Sequence, residues 1–475
     1  MSRVRDGCHV THKLEQRLET KMKITFLGGT GTVTGSKYLL ESNSLAGPVL
    51  IDCGLFQGLK NLRLKNREPL PFDPERLSAV ILTHAHLDHS GYIPLLVRNG
   101  FNGPIYCSEA TFELCKILLP DSGYLQEEEA KYYNKKGISK HRPALPLYTQ
   151  EDAEKSLSLF QSIKYHKAIS LSKDATFEFF VAGHILGAST VRINLQSTSI
   201  AFSGDLGRPN DIVMEAPEPP PEADYLVVES TYGNRRHDTL NPVNLVERVI
   251  NEAWKNQGVV IIPAFAVGRA QTMLYILADL KRQGKLPDIP IYLNSPMATN
   301  VTHVFCQFRK EHRLTDQQCQ ETCEIAGYIR SPEESKALNS STGPMIIISA
   351  SGMATGGRVI HHLKAFIGDP KNTILFTGYQ AAGTRGAAMV AGTEEIKIHG
   401  QYYPVKAKIL NIDAFSAHAD CTEILNWLRL IKRKPKRIFV THGEPLASDT
   451  LRQKIEEQLH WNVDVPFLGE TKELK

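Results

Sequence analysis

The segment that most constrains the fold is Ala79-Val80-Ile81-Leu82-Thr83-His84-Ala85-His86-Leu87-Asp88-His89. Its first half is a continuous apolar run of strand length, the pattern of a strand buried on both faces. That run leads directly into three histidines and an aspartate within six positions. Histidines at i and i+2 of an extended segment point to the same side, so His84 and His86 can reach one metal ion. Asp88 and His89, entering the next turn, can face a second ion. Imidazole and carboxylate suit zinc, and also manganese or iron. A buried strand ending in this cluster is read as a metal site.

Two ions need more ligands, ideally with one carboxylate between them, and three more strand-like runs end in suitable residues. Gly183-His184 follows the run ending at Val181, Ser203-Gly204-Asp205 follows Ser199–Phe202, and Thr441-His442-Gly443 follows Ile438–Val440. Loops after strands gather at one edge of a sheet. His184, Asp205 and His442 are therefore the candidates to complete the site.

Composition excludes several classes. The 475 residues are 42% hydrophobic and 22% charged, unlike a disordered or fibrous chain, and long enough for about three domain-sized units. Mean hydropathy is −0.23 and the longest apolar stretches, such as Ile346-Ile347-Ile348, fall far short of a membrane span. A soluble protein with no membrane partner is expected. The 55 basic and 51 acidic residues leave a net charge of +4, which permits a polyanionic substrate without requiring one. None of the eight cysteines forms a C-x-x-C pair. Cys319-x₃-Cys323 comes nearest but lacks a second pair or flanking histidines, so free thiols in a reducing cytoplasm are expected. Residues 1–21 are polar, without a secretory apolar core, and are expected to be a poorly ordered extension.

From Met22 to about Asp211, short strands with Gly-rich turns give way to strand–helix units. The polar run Gln126–Lys136 reads as a solvated helix or loop. Pro217-Glu218-Pro219-Pro220-Pro221 reads as a linker. Beyond it, strands at Tyr225–Glu229, Val259–Pro263, Ile291–Leu293, Met345–Ser349 and Thr373–Phe376 alternate with helices, which predicts a parallel, doubly wound sheet. The expected divisions are 1–21, 22–213, an insert over 214–385, and a returning part over 386–475.

The ligand pattern His84-x-His86-x-Asp88-His89, with His184 and Asp205 and preceded by Asp52, resembles the five-motif core of the metallo-β-lactamase superfamily. Glu229-Ser230-Thr231-Tyr232-Gly233, Ser416-Ala417-His418-Ala419-Asp420 and Thr441-His442-Gly443-Glu444 are similar to motifs A, B and C of its β-CASP branch, which contains ribonuclease J and the mRNA 3′-end-processing endonuclease. Ser295-Pro296-Met297-Ala298, Ser351-Gly352-Met353 and Gly378-Tyr379-Gln380 are further similarities, and the match spans about 22–475. The resemblance implies an α/β architecture: an αββα metallo-β-lactamase sandwich carrying an inserted, doubly wound β-CASP domain.

It also implies roles. His84, His86 and His184 would hold one zinc ion and Asp88, His89 and His442 a second, with Asp205 bridging and manganese as the alternative metal. Asp52 would orient the ligands. A hydroxide between ions about 4 Å apart would attack phosphorus in line. His418 would serve as leaving-group acid, oriented by Glu229. The implied activity is a zinc-dependent ribonuclease acting on single-stranded RNA, with endo or 5′-exo attack. Dimerisation, common in that branch, is the implied assembly. His442 favours RNA over DNA, because DNA-processing relatives tend to carry valine there. The alternative is a small-molecule thioester or lactone hydrolase of the same superfamily, which would make no use of the insert or of His418.

Four other motifs need separate readings. Gly29-Thr30-Gly31-Thr32-Val33-Thr34-Gly35 has a dinucleotide-binding flavour, but Tyr38-Leu39-Leu40 after it reads as a strand, so it is taken as a turn. Ser351 to Arg358 leaves a strand and enters a helix, where free amides could cradle a phosphate. It lacks a P-loop lysine, and the resemblance makes Ser351, Gly352 and Gly378 candidate RNA-backbone contacts. The basic cluster from Lys432 to Arg437 is read as a solvated turn, and His361-His362 as structural.

Overall fold

The computed structural model describes residues 22–137, 139, 141–237, 241–381 and 383–475, so the expected N-terminal extension lies outside the described residues. Met22–Phe26 shows how a half-buried strand is written: Met22, Ile24 and Phe26 are buried and Lys23 is exposed. It pairs antiparallel with Tyr38–Ser42 and with the C-terminal strand Thr471–Leu474. The sheet continues through Val49–Ile51, Ala79–Ile81, Ile105–Ser108 and Phe160–Ile163, the last four mutually parallel.

A second seven-stranded sheet runs in the order Val463–Asp464, Arg437–Thr441, Tyr225–Glu229, Thr198–Phe202, Ser189–Leu195, Ala175–Val181, Ile169–Ser172. The two sheets bury their inner faces against each other, with Ile24, Phe26, Leu40 and Ile81 meeting Phe177, Val191, Phe202 and Phe439. Phe26 and Phe439 ring centroids lie 5.3 Å apart across this core. Helices Ile93–Arg98, Glu109–Lys136 and Gln150–Leu157 cover the first sheet. Helices Cys421–Leu428 and Pro445–Leu459 cover the second. This is the four-layer αββα sandwich. The polar run Gln126–Lys136 is the outer half of the 28-residue helix, which ends at Gly137 in a left-handed cap.

The insert is a six-stranded, all-parallel sheet in the order Gly327–Tyr328, Ile291–Leu293, Met345–Ser349, Val259–Pro263, Thr373–Phe376, Lys408–Asn411. Its central strands are buried throughout, with helices Pro242–Lys255 and Arg269–Arg282 on one face and Val359–Phe366 on the other.

Both expected insert boundaries move. Tyr225–Glu229 lies between Thr198–Phe202 and Arg437–Thr441 in the sandwich, parallel to each. The Pro-rich stretch before it is packed, not a linker: Glu218 donates its N–H to Val181 O at 2.9 Å and accepts from Trp427 Nε1 at 2.7 Å. At the far end, Lys408–Asn411 belongs to the insert sheet, beside Thr373–Phe376. The insert therefore runs from Pro242 to about 412 instead of 214–385. An apolar strand carries the same pattern whichever sheet it joins.

The insert rests on the sandwich through helix Pro296–Gln307, whose Val301, Val304 and Phe305 share a core with Leu114 and Leu118. Beside it, Gly187 donates its N–H to Glu311 Oε2 at 2.8 Å, and Arg313 donates its N–H to Val213 O at 2.8 Å. Burial, reinforced by Glu109, pushes the Glu311 carboxyl up to about 7 against the opposing Gly187 hydrogen bond. A carboxyl whose folded pKa exceeds its unfolded value favours folding below the unfolded value, and that contribution is lost as pH rises through the folded one. Glu311→Gln is therefore expected to melt near wild type at pH 5 and to become more stable at pH 8, by an order of 1–3 kcal/mol. Thermal unfolding at the two pH values checks this; an equal difference at both would refute it.

The remaining polar features are structural. Arg433 pairs with Asp224 at 3.2 Å and Arg437 with Asp464 at 2.9 Å, so the basic cluster is an ion-paired turn. His362 is buried between Asn294 and Asn339, each at 2.7 Å. The seven cysteines among the described residues are free.

Candidate metal centre

The candidate ligands come from strands that end at one edge of the sandwich. Ala79–Ile81 of the first sheet delivers His84 and His86, and the short helix Leu87–Ser90 then places Asp88 and His89. In the second sheet Ala175–Val181, Thr198–Phe202, Tyr225–Glu229 and Arg437–Thr441 run in one direction and deliver His184, Asp205, Glu229 and His442.

They form two groups sharing one carboxylate. In the first, His86 Nδ1 lies 3.2 Å from both His84 Nε2 and His184 Nε2, and Asp205 Oδ2 lies 3.5 and 3.6 Å from those two Nε2 atoms. In the second, His89 Nε2 lies 3.1 Å from His442 Nε2 and 3.2 Å from Asp205 Oδ1, and Asp88 Oδ2 lies 3.4 Å from His442 Nε2. Such spacings match the edges of a tetrahedron around an ion with zinc–nitrogen bonds of about 2.0–2.1 Å. Burial first, then neighbouring imidazoles, holds His84 and His184 well below the ordinary histidine range, so their ring lone pairs are free to ligate. Burial would raise Asp205, but His442, His89 and His84 outweigh it and keep the carboxylate ionised. The two groups, sharing Asp205, have the donor chemistry and spacing that suit divalent metal ions.

Asp52 stands behind the second group. Its Oδ2 accepts from His89 Nδ1 at 2.7 Å and Thr83 Oγ1 at 3.0 Å, and its Oδ1 accepts from the Thr83 N–H at 2.8 Å. His89 is thereby fixed with Nε2 facing the cluster. Asp52 and His442 both occupy the left-handed region, at φ 57° and 48°. That costs a non-glycine residue about 1–2 kcal/mol. The Asp52 hydrogen bonds offset it at one position; at the other, His442 donates its N–H to Gly29 O and its Nδ1 meets Thr231 Oγ1 at 3.1 Å. The glycine-rich segment is thus a turn, and it braces His442. Gly54 is required for close approach, because a Cβ there would sit 1.5 Å from Asp88 O.

His418 lies at the rim, its side chain 18% exposed, with Nδ1 3.0 Å from Glu229 Oε1 and 4.0 Å from Asp205 Oδ2. Glu229 is buried and also accepts from the Leu206 N–H at 2.6 Å. Burial lowers the pKa of His418, yet the Glu229 charge and hydrogen bond outweigh it and push it up to about 9. On the insert side, a Cβ on Gly352 would meet Phe265, whose ring lies 6.4 Å from that of His86. Gln380 Nε2 donates to both Gly352 O and Gly378 O at 3.3 Å, joining the two loops, while Ser351 Oγ accepts from the Thr355 N–H at 3.1 Å.

Sequence reasoning missed His237. It is buried, donates its N–H to Asp420 Oδ2 at 2.9 Å, and donates Nε2–H to the His418 carbonyl at 2.9 Å. Its signal was faint: a lone histidine eight positions after Glu229 in a polar loop. Together with Asp420 and Glu423 it is compact enough to hold an ion. Those groups are already engaged, Asp420 capping helix Cys421–Leu428 and Glu423 pairing with Arg208 at 3.3 Å.

Three family profiles match the chain: the metallo-beta-lactamase superfamily over residues 31–160, the Beta-Casp domain over 270–389, and the Zn-dependent metallo-hydrolase RNA specificity domain over 402–466. Ribonuclease TTHA0252 of Thermus thermophilus is 36% identical over 432 residues, covering 89% of this chain and 93% of its own. An RNase J-like protein of Methanocaldococcus jannaschii is 30% identical, covering 90% and 95%. Transcription termination factor FttA of Pyrococcus abyssi is 33% identical, covering 94% of this chain and 70% of its own. A crystal structure of a protein of unknown function from Enterococcus faecalis V583 shares the fold, with a TM-score of 0.52 at 15% identity, covering 96% of this chain and 100% of that one. The chain belongs to the β-CASP family of the metallo-β-lactamase superfamily and is a metal-dependent hydrolytic nuclease.

Proposed function

We propose that the enzyme hydrolyses phosphodiester bonds of single-stranded RNA, using two zinc ions (with manganese as the alternative) and His418 as the acid for the leaving oxygen. The observation that carries this reading is the pair of ligand groups sharing Asp205, with the His418–Glu229 pair 4.0 Å from the shared carboxylate. His84, His86, His184 and Asp205 would hold one ion, and Asp88, His89, His442 and Asp205 the other. Bound there, the ions supply Lewis acidity toward a phosphate and lower the pKa of water.

The chain's own groups do the rest. Asp52 and Thr231 fix the two imidazoles of the second group. An imidazolium carries a proton on each nitrogen; Glu229 takes the Nδ1–H of His418, so Nε2–H is the proton offered to the leaving oxygen. Ser351, Gly352 and Gly378, on insert loops joined through Gln380, are the candidate contacts to the RNA backbone. The RNA-specificity profile covers both His418 and His442, and relatives carry the names ribonuclease and RNase J-like protein, which supports RNA as the substrate.

The test is cleavage of end-labelled single-stranded RNA, with DNA of matched sequence as control, by metal-loaded enzyme. RNA is expected to be cut at least about a hundredfold faster than DNA, a discrimination of about 2.7 kcal/mol in the transition state. Hydrolysis of thioesters or lactones, with RNA left intact, would overturn the reading.

A further inference from the structure

The peptide that joins His418 to Ala419 is held at both ends. Ala419 donates its N–H to Leu206 O at 2.8 Å, and the His418 carbonyl accepts Nε2–H of His237 at 2.9 Å. Leu206 in turn gives its N–H to Glu229 Oε1 at 2.6 Å, and Glu229 faces His418 Nδ1 at 3.0 Å. One end of the peptide is therefore fixed by main chain next to Asp205. The other is fixed by a side chain, which substitution can remove.

His237 is itself firmly placed. Tyr232 and Asp420 form a parallel bridge, Cys421 donates its N–H to Arg235 O at 3.2 Å, and the His237 N–H reaches Asp420 Oδ2 at 2.9 Å. The buried Tyr232 ring lies beside both imidazoles, its centroid 4.9 Å from that of His237 and 6.3 Å from that of His418. Burial first, then Arg208, holds His237 below the ordinary histidine range. The ring is neutral, and it donates from Nε2 because a carbonyl oxygen can only accept.

A cation is the competing reading of this cluster, and its hydrogen bonds argue against one. Asp420 Oδ1 accepts from the Thr422 and Glu423 N–H groups at 2.8 and 2.9 Å, and Oδ2 from His237. Glu423 Oε1 accepts from Arg208 Nε at 3.3 Å and Oε2 from the Asp420 N–H at 2.8 Å. Every carboxylate oxygen faces an N–H, and Nε2 of the ring is turned to His418.

We propose that His237 is the positioning residue of the leaving-group acid, acting through the His418 carbonyl to keep Nδ1 on Glu229 and Nε2 toward the leaving oxygen. The inference rests on the reading of His418 as that acid. His237 moves no proton; its effect is geometric. Without its hydrogen bond the peptide is pinned at the Leu206 end alone and can turn, carrying the Cα–Cβ bond of His418 with it. A misplacement of about 1 Å in a reacting group costs on the order of a hundredfold in rate.

The experiment compares metal-loaded wild type, His237→Phe, His237→Gln, His418→Ala and the His237→Phe/His418→Ala double variant. Each is assayed on end-labelled RNA and on bis(p-nitrophenyl) phosphate, whose nitrophenolate departs without a proton. Phenylalanine keeps the ring beside Tyr232 and deletes the donor, whereas glutamine returns an N–H near the position of Nε2. His237→Phe is expected to lower kcat on RNA by about ten- to a hundredfold, with KM and metal content as in wild type. His237→Gln should recover most of that loss, neither variant should slow the nitrophenyl diester, and the double variant should be no slower than His418→Ala. An equal loss on both substrates, loss of metal, the same loss in both backgrounds, or a wild-type kcat would overturn the proposal. RNA cleavage by His418→Ala at the wild-type rate would instead overturn the acid reading beneath it, so the two failures are told apart. His237→Asn, whose shorter amide does not reach the His418 carbonyl, supplies the same comparison if the phenylalanine variant does not fold.

Discussion

Asp205→Asn is expected to remove metal from both ligand groups and to lower nuclease activity by at least about a thousandfold. Asp205 gives one oxygen to each group, Oδ2 near His84 and His184 and Oδ1 near His89 and His442. Asparagine keeps the size but turns one of those oxygens into an N–H₂ donor, which cannot face a cation, and removes the charge that the two proposed ions would share. Elemental analysis of purified protein provides the measurement. Asp205→Asn should carry less than half the wild-type metal, whereas His442→Ala should empty only the second group. Retention of both ions with full activity in Asp205→Asn would show that the shared carboxylate does not hold the pair together.

His418→Ala is expected to have a different signature: wild-type metal content, similar KM, and kcat lower by about a hundred- to ten-thousandfold. His418 belongs to neither four-residue ligand group, so its removal leaves both intact. On the proposed reading, what disappears is a charge-assisted donor held by Glu229 at 3.0 Å, whose effect would be felt only as charge develops on the leaving oxygen. Glu229→Gln should fall between the two enzymes, because the amide oxygen still accepts from Nδ1–H but no longer stabilises the imidazolium. Loss of metal in His418→Ala would instead make it a ligand, and an unchanged kcat would remove it from the chemistry.

Much of this was legible because the signals are local. Ile291–Leu293, Met345–Ser349 and Thr373–Phe376 have the limits their apolar patterns indicate. The His84–His89 segment reads as a ligand cluster because two-residue periodicity and a short turn place its side chains within a few residues of chain. The candidate ligands from distant segments were each found at the end of a strand, and the resemblance to known motifs assigned them to groups. Illegible were contacts whose partners lie far apart in sequence. Tyr225–Glu229 and Lys408–Asn411 were seen as strands but not as members of particular sheets. His237 and Glu311 left no periodic trace.

Sequence alone determined the apolar, buried strands and which residue types stand at their ends, because these depend on hydrophobic periodicity and on side-chain chemistry within one turn or one strand. Only the tertiary structure decided that Tyr225–Glu229 joins the sandwich and that Lys408–Asn411 closes the insert sheet. Backbone hydrogen bonds are the same for every strand, so a strand's neighbours are selected by the packing of side chains brought together from the whole chain.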